Sequence, residues 1–337
     1  MSGPEPRIAY LAGRHAEPTA LERLFYRLMA VPAFAALVAL ADRIGLTRRG
    51  AVIAIPYGWL VLFCLLPFLI VLKLSFAEAE LAQPPYTPLF DWVDGHFRGI
   101  RVNIENYRLL FEDDLYWRSY LNSIRIAFTS TLLALAIGLP MAYGMARAPL
   151  AWRTPLLMMV ILPFWTSFLI RVYAWIGILK NEGLLNGALM QLGLIDQPLV
   201  ILNTEIAVHI GIVYSYLPFM ILPLYANLEK MDWTLLEAAA DLGCRPARAF
   251  WTITVPLALP GIVAGCSLVF IPAVGEFVIP DLLGGSDTVM IGKTLWVEFF
   301  QNRDWPLSSA VAVLLLLALV LPIVLLQRQR ARLEAAR

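Results

Sequence analysis

Glu237-Ala238-Ala239-Ala240-Asp241-Leu242-Gly243, followed by Ile253-Thr254-Val255-Pro256 and Pro260-Gly261-Ile262, is a short polar island between two long apolar segments. Thr234 with Glu237 three residues on has the spacing of a capping box, in which each side chain satisfies the other residue's free backbone N–H. A helix is therefore expected to start near Leu235. Gly243 suits the left-handed conformation that closes such a helix, and Pro246 suits the first turn of a second one. The expected product is two short helices meeting at a bend, stopped by Pro256 and Pro260. The run of alanines lets a partner's surface approach closely, while Arg245 and Arg248 keep the element in water.

Outward from this island the chain is apolar. It has 337 residues, 60% hydrophobic and 15% charged, with a mean hydropathy of +0.71, whereas globular chains carry roughly a quarter charged residues. A polytopic membrane protein follows. A net charge of +1 leaves no bulk electrostatic case for nucleic acid as a partner; membrane lipid is the expected surround. Cys64, Cys244 and Cys266 are odd in number, lack metal-ligand spacing and read as free thiols. The polar first residues predict no cleavable signal peptide.

About 20 apolar residues cross the roughly 30 Å of hydrocarbon, and six stretches qualify: 51–76, 121–146, 155–179, 204–227, 257–280 and 307–326. These six transmembrane helices define an all-α fold. Residues 28–41 are apolar but short and bracketed by arginines, which suits a helix lying in the interface within a cytoplasmic segment 1–50. Arg23, Arg27, Arg43, Arg48, Arg49, Arg147, Arg153, Lys230, Arg245, Arg248, Arg328, Arg330, Arg332 and Arg337 all fall on one side of a six-span arrangement, which the positive-inside rule makes cytoplasmic. Both termini, the tail 328–337 and the Glu237 island are then inside. The first outer loop is acidic, and its 104–117 portion is expected to form an amphipathic helix. The outer loops offer an acidic, aromatic surface suited to a soluble partner, although insertion rules alone also deplete outer loops of cations.

The island resembles the EAA signature of ABC importer permeases. Glu237, Ala238, Ala239, Asp241, Leu242, Gly243, Phe250, Ile253, Pro256, Pro260 and Gly261 match the pattern; Val255 departs from it where leucine is usual. The resemblance implies a type I, MetI-like permease fold over 51–327 in a bacterial inner membrane. It makes 232–250 the coupling helix, with Glu237, Ala238, Ala239, Asp241, Gly243 and Arg245 facing an ATPase subunit.

The chain's own chemistry agrees with a non-catalytic subunit. Gly292-Lys293-Thr294 resembles the end of a phosphate-binding loop, but Asp287 stands where its first glycine is required. His15, His96 and His209 are scattered, with no shared spacing for a metal or for base catalysis. No cofactor is expected on this chain; ATP and Mg belong to the partner ATPase that the resemblance implies.

Ionisable groups within spans are costly, about 2.5–3.5 kcal/mol each, and are functional candidates by default. Arg171 and Glu276 stand out, and a count at 1.5 Å per residue along straight helices puts both roughly 25–29 Å up their spans. Two readings stay open: an Arg171–Glu276 ion pair stapling two helices, or Glu276 beside the transport route as an outer gate. Pro272, Gly275 and Pro280 interrupt the fifth span, and irregular backbone at such depth needs protein or a watery cavity around it. Phe164, Trp165, Tyr173, Trp175 and Phe277 at matching height would suit an organic cation, or serve as interface-belt aromatics.

Leu162-Pro163-Phe164-Trp165-Thr166-Ser167, Arg171-Val172-Tyr173-Ala174-Trp175 and Pro272 through Gly285, which includes Asp281, are similar to permeases of polyamine importers. Phe299-Phe300-Gln301-Asn302-Arg303-Asp304-Trp305-Pro306 resembles the putrescine-type member. The implied partners are a periplasmic polyamine-binding protein, a homodimeric ATPase and a second, different permease. Permeases for ferric iron, sulfate or thiamine share the EAA loop and remain alternatives, as does an ATP-independent secondary transporter.

Overall fold

The computed structural model describes residues 48–93 and 96–335; the interfacial helix expected at 28–41 lies outside them. The described residues fall in two units divided between Ile70 and Val71. The first holds α1 (Arg48–Leu60), a π turn (Val61–Leu65) and the start of α2 (Leu66–Leu74). From Ile53 to Leu74 this helix is long and apolar enough to cross a membrane.

In the second unit the loop after the first span adds a small hairpin to the otherwise helical fold. Strands β1 (Phe90–Val93) and β2 (His96–Ile100) pair antiparallel, with an irregularity between Asp91 and Trp92. Aromatic and β-branched residues flank Asp94-Gly95 in the sequence, a hairpin-turn signal. The amphipathic helix expected over 104–117 is shorter: α3 (Glu105–Glu112) stops at Asp113. The Asp113 carboxylate accepts the Leu115 N–H at 2.8 Å and so begins a new helix, since an N-cap aspartate satisfies a donor that the first turn leaves free. That helix, α4 (Asp114–Arg147), is the second span. Ser119, Ser123, Ala127, Ser130, Ala134, Gly138, Ala142 and Ala146 recur along its buried face, and such a row of small residues brings backbones close where lipid supplies no hydrophobic drive between helices.

The third span is broken. Helix α5 (Leu150–Ile161) and a 3-10 turn (Leu162–Trp165) lead to Thr166 in extended conformation. Helix α6 (Phe168–Leu179) and α7 (Leu184–Gln191) then leave at 89° to the first part. The straight count that placed Arg171 along one continuous rod is thereby corrected. Pro163 cannot donate to the ladder, and the turn around it lets the chain change direction.

Helix α8 (Glu205–Leu228) is the fourth span. After it come α9 (Thr234–Asp241) and then α10 (Pro246–Ala249), a π turn (Phe250–Thr254) and α11 (Val255–Val274), which together run without a stop from Pro246 to Val274. Pro256 and Pro260 therefore lie inside the fifth span and do not end a separate helix. Pro256 falls just past the π turn, where the ordinary i to i−4 pattern is already suspended, so its missing N–H disrupts little. The chain closes with α12 (Val278–Leu282), α13 (Ile291–Trp296), a π turn (Val297–Gln301) and α14 (Trp305–Ala335), apolar from Trp305 to Leu321. Among the described residues four helices meet the requirements of a crossing, five with the bent pair counted as one.

Spans two, four and five pack on one another to form the centre of this unit. One end of the core holds Ala142, Met145, Leu224, Leu228 and Ala258; the other holds Ile126, Val172, Ile212, Val274, Ile279 and Met290. Gly261 permits the contact between spans four and five. A Cβ there would lie 2.8 Å from the Asn227 Cβ and 3.1 Å from the Pro223 carbonyl oxygen, which is backbone and cannot give way.

Candidate functional site

Two sites emerge, one at each end of this core. At the polar island, Asp232 and not Thr234 is the cap. Its carboxylate accepts the Thr234 N–H at 3.0 Å and the Thr234 hydroxyl at 2.8 Å, and these bonds hold the Asp232 carboxyl below the usual carboxylate range. Thr234 is itself the first helical residue, and no hydrogen bond joins it to Glu237. The capping box is thus replaced by a single charged acceptor, the stronger partner for free amides.

At the far end of α9 the expectation for Gly243 holds in its geometry. Gly243 has φ +78°, its N–H donates to the Ala240 carbonyl at 2.8 Å, and the Cys244 N–H donates to the Ala239 carbonyl at 2.9 Å. This pair of bonds is a Schellman closure. Arg245 is extended, and Pro246 opens the next helix. Glu237, Ala238, Asp241 and Arg245 are exposed and Ala239 is half-buried; Leu242 is 88% exposed.

What ties this element to the spans was not singled out from sequence. Tyr143, near the end of α4, makes edge contacts with Trp233 at 5.8 Å and Phe250 at 5.4 Å, so one ring touches the residues on both sides of the α9 bend. Arg147 lies over Tyr143 and Trp233 at 5.8 and 5.5 Å. Nearby, Arg153 approaches Glu229 at 3.7 Å, and the Tyr225 hydroxyl donates to the same Glu229 oxygen at 2.8 Å.

The second site is a cavity of about 580 Å³ between spans three, four and five, lined by Phe164, Phe168, Arg171, Tyr216, Glu276 and Phe277, with Ser215, Phe219, Pro272, Gly275 and Val278 completing its wall. Its carboxylate exists because the fifth span breaks. Helix α11 ends at Val274, and α12 begins at Val278 with amides that need acceptors. One oxygen of Glu276 takes the N–H groups of Phe277, Val278 and Ile279 at 3.1, 3.0 and 3.4 Å. The other accepts the Tyr216 hydroxyl. Glu276 is 8% exposed and satisfies the freed backbone with its own charge, as irregular structure at such depth demands.

The Arg171–Glu276 pair is not formed. Both residues line the cavity, but Nε and Nη1 of Arg171 are buried without a hydrogen-bond partner, and the guanidinium sits over Phe164 and Phe168 at 5.1 and 5.8 Å. Glu276 is held instead by the backbone amides and Tyr216.

Of the other residues expected along the route, Phe277 lines the cavity and stacks on Trp296 at 4.6 Å. Trp165 and Tyr173 lie outside it and are 78% and 54% exposed. Trp175 turns away to meet Tyr214 at 5.3 Å, and Asp281 faces Lys293 at 3.4 Å. Phe164 and Arg171, on either side of the break, line the cavity while their neighbours Trp165 and Tyr173 do not, so height along a helix does not translate into a shared wall. Tyr216 and Phe168 were missed. Tyr214-Ser215-Tyr216 is a polar cluster inside an apolar span, and the rule that intramembrane polar groups mark function would have found it.

Residues 121–333 match the family described as the binding-protein-dependent transport system inner membrane component. The chain is 42% identical over 261 residues to the spermidine/putrescine transport system permease protein PotB of Haemophilus influenzae, covering 77% of this chain and 86% of that one. It is 41% identical to the Escherichia coli K12 protein of the same name over 274 residues, covering 81% and 94%. A crystal structure of a bacterial ABC transporter that imports alginate contains a chain of similar fold, with a TM-score of 0.64 at 16% identity, covering 88% of this chain and 99% of that one.

Proposed function

Because the chain belongs to the family of binding-protein-dependent transport system inner membrane components, we propose that it is the permease of an ATP-driven polyamine importer, with putrescine the favoured cargo and spermidine a second one. A member of this family is a non-catalytic transport subunit, and ATP hydrolysis belongs to a separate protein. The likeness to two spermidine/putrescine permeases over more than three-quarters of the chain carries the cargo reading. Glu276 among Phe164, Phe168, Tyr216 and Phe277 adds a physical reason, since a carboxylate beside aromatic faces suits an ammonium group.

In this reading a homodimeric ATPase grips α9 through Glu237, Ala238, Ala239, Asp241 and the exposed Leu242, and its closure shifts that helix. Tyr143, wedged between Trp233 and Phe250, passes the shift to the second and fifth spans, and the bundle alternates between outward and inward openings. A second, different permease completes the route, and a periplasmic polyamine-binding protein delivers cargo to the outer loops. Residues 1–50, the 328–337 tail and the Glu237 island lie in the cytoplasm, with 51–327 forming the membrane domain.

Reconstituted with its partners in vesicles, the complex is expected to accumulate labelled putrescine when ATP is enclosed, and not when a proton gradient replaces it. Accumulation of ferric iron, sulfate or thiamine in place of diamines would overturn the cargo. Uptake driven by the gradient alone would overturn the mechanism.

A further inference from the structure

The cavity that suits an ammonium group already holds a cation of the chain's own. The Arg171 guanidinium occupies the faces of Phe164 and Phe168, two of its nitrogens are buried with no acceptor, and Glu276 lines the same space without pairing to it. A guanidinium with two nitrogens desolvated and unpaired is costly to keep. The two ring faces offset part of that cost, and the guanidinium's position over them is the one a cationic ligand would take.

We propose that Arg171 is a tethered stand-in for cargo, a specificity-determining residue that the incoming ammonium must displace from the Phe164–Phe168 face beside Glu276; this rests on the polyamine reading of the same site. The arrangement filters by valence. A monovalent amine that displaces Arg171 exchanges one cation for another, loses its own translational freedom and competes with a tethered group at high effective concentration. A diamine brings a second ammonium as well, so one that reaches a second acceptor binds more strongly than the exchange alone allows. The guanidinium thereby excludes small monoamines while the site is empty.

Val278 lines the cavity, and Val278→Cys in a background lacking Cys64, Cys244 and Cys266 puts a reporter thiol there. With the complex assembled in membranes, the ratio of thiol modification by a cationic methanethiosulfonate to that by a neutral one should rise about tenfold when Arg171→Met uncovers the Glu276 charge. Arg171→Lys should leave the ratio near its starting value. In uptake, 1-butylamine should compete poorly with putrescine in the native complex and at least tenfold better in Arg171→Met, with the KM for putrescine lowered. Arg171→Gln serves if the methionine variant does not co-purify with the ATPase. An unchanged reagent ratio, or a raised KM in the neutral variants, overturns the stand-in role. A shifted ratio in a complex that takes up no diamine leaves Arg171 as the stand-in and overturns the polyamine reading alone.

Discussion

Glu276 holds three backbone amides with one oxygen and a tyrosine hydroxyl with the other, and removing its charge separates the two tasks. Glu276→Gln keeps an oxygen for the amides, so the assembled complex should persist while the KM for putrescine rises roughly tenfold. An unchanged KM would return Glu276 to a purely structural role. Tyr216→Phe does the reverse: it leaves the charge and strips a partner from a buried carboxylate, a loss of about 1–3 kcal/mol, which should lower the thermal stability of the purified complex. At the other end, nothing lies within 4 Å of a Cβ built on Gly243, so its requirement is conformational. Gly243→Asn should retain most uptake, because asparagine tolerates the left-handed region, and Gly243→Val should lose it. Equal loss in both would mean that the space outside the bend, filled by a docked partner, sets the limit.

At the scale of elements, the α9 helix has a start and a stop that differ in kind. Its stop is a backbone geometry, insensitive to pH; its start depends on the Asp232 carboxylate. That carboxyl is held below its ordinary value in the folded chain, so its contribution is present above the unfolded value and disappears as pH falls through the folded one. The protection of the Thr234 amide, the intrinsic exchange rate at the same pH divided by the observed one, should fall on that descent, and Asp232→Ala should abolish the dependence. Tyr143→Leu tests the joint: it keeps apolar volume but loses the edge contacts to Trp233 and Phe250. ATP hydrolysis should then continue with uptake reduced at least fivefold, whereas a proportional fall in both would mean that the ring only stabilises the fold.

The elements also show what a sequence discloses. The stop at Gly243 was legible because one residue type answers one backbone demand. The start was legible to within one residue, but its cap was not, because Thr234 and Asp232 both qualify and only three-dimensional geometry ranks them. Hydropathy located the third span but not its 89° turn, since apolarity carries no direction. The same blindness put Trp165, Tyr173 and Trp175 at one height with Glu276, although they do not line the cavity it faces. Glu276 was legible as an ionisable group beside a helix interruption; its partner Tyr216 carries no charge and so does not stand out in an apolar span.

At the scale of the molecule, the two sites lie at opposite ends of one core built from spans two, four and five. Gly261 sets how closely spans four and five meet, and Gly261→Val would force backbone apart at the Pro223 carbonyl. Such a change should impair both ends together, seen as lost uptake and lost co-purification with the ATPase. Retained association with lost uptake would show that the inner site folds independently of the packing above it. If both termini are cytoplasmic, tags at either end should resist protease in intact spheroplasts and yield to it in inverted vesicles.

The break in the fifth span carries a consequence for how loading and opening relate. The same carboxylate that would attract cargo is the group that keeps the broken helix in register, so whatever draws its charge away slackens the joint it secures. On the polyamine reading, occupancy and opening would then share one group: cargo competing for this carboxylate would ease the hinge, and an empty site would stay latched.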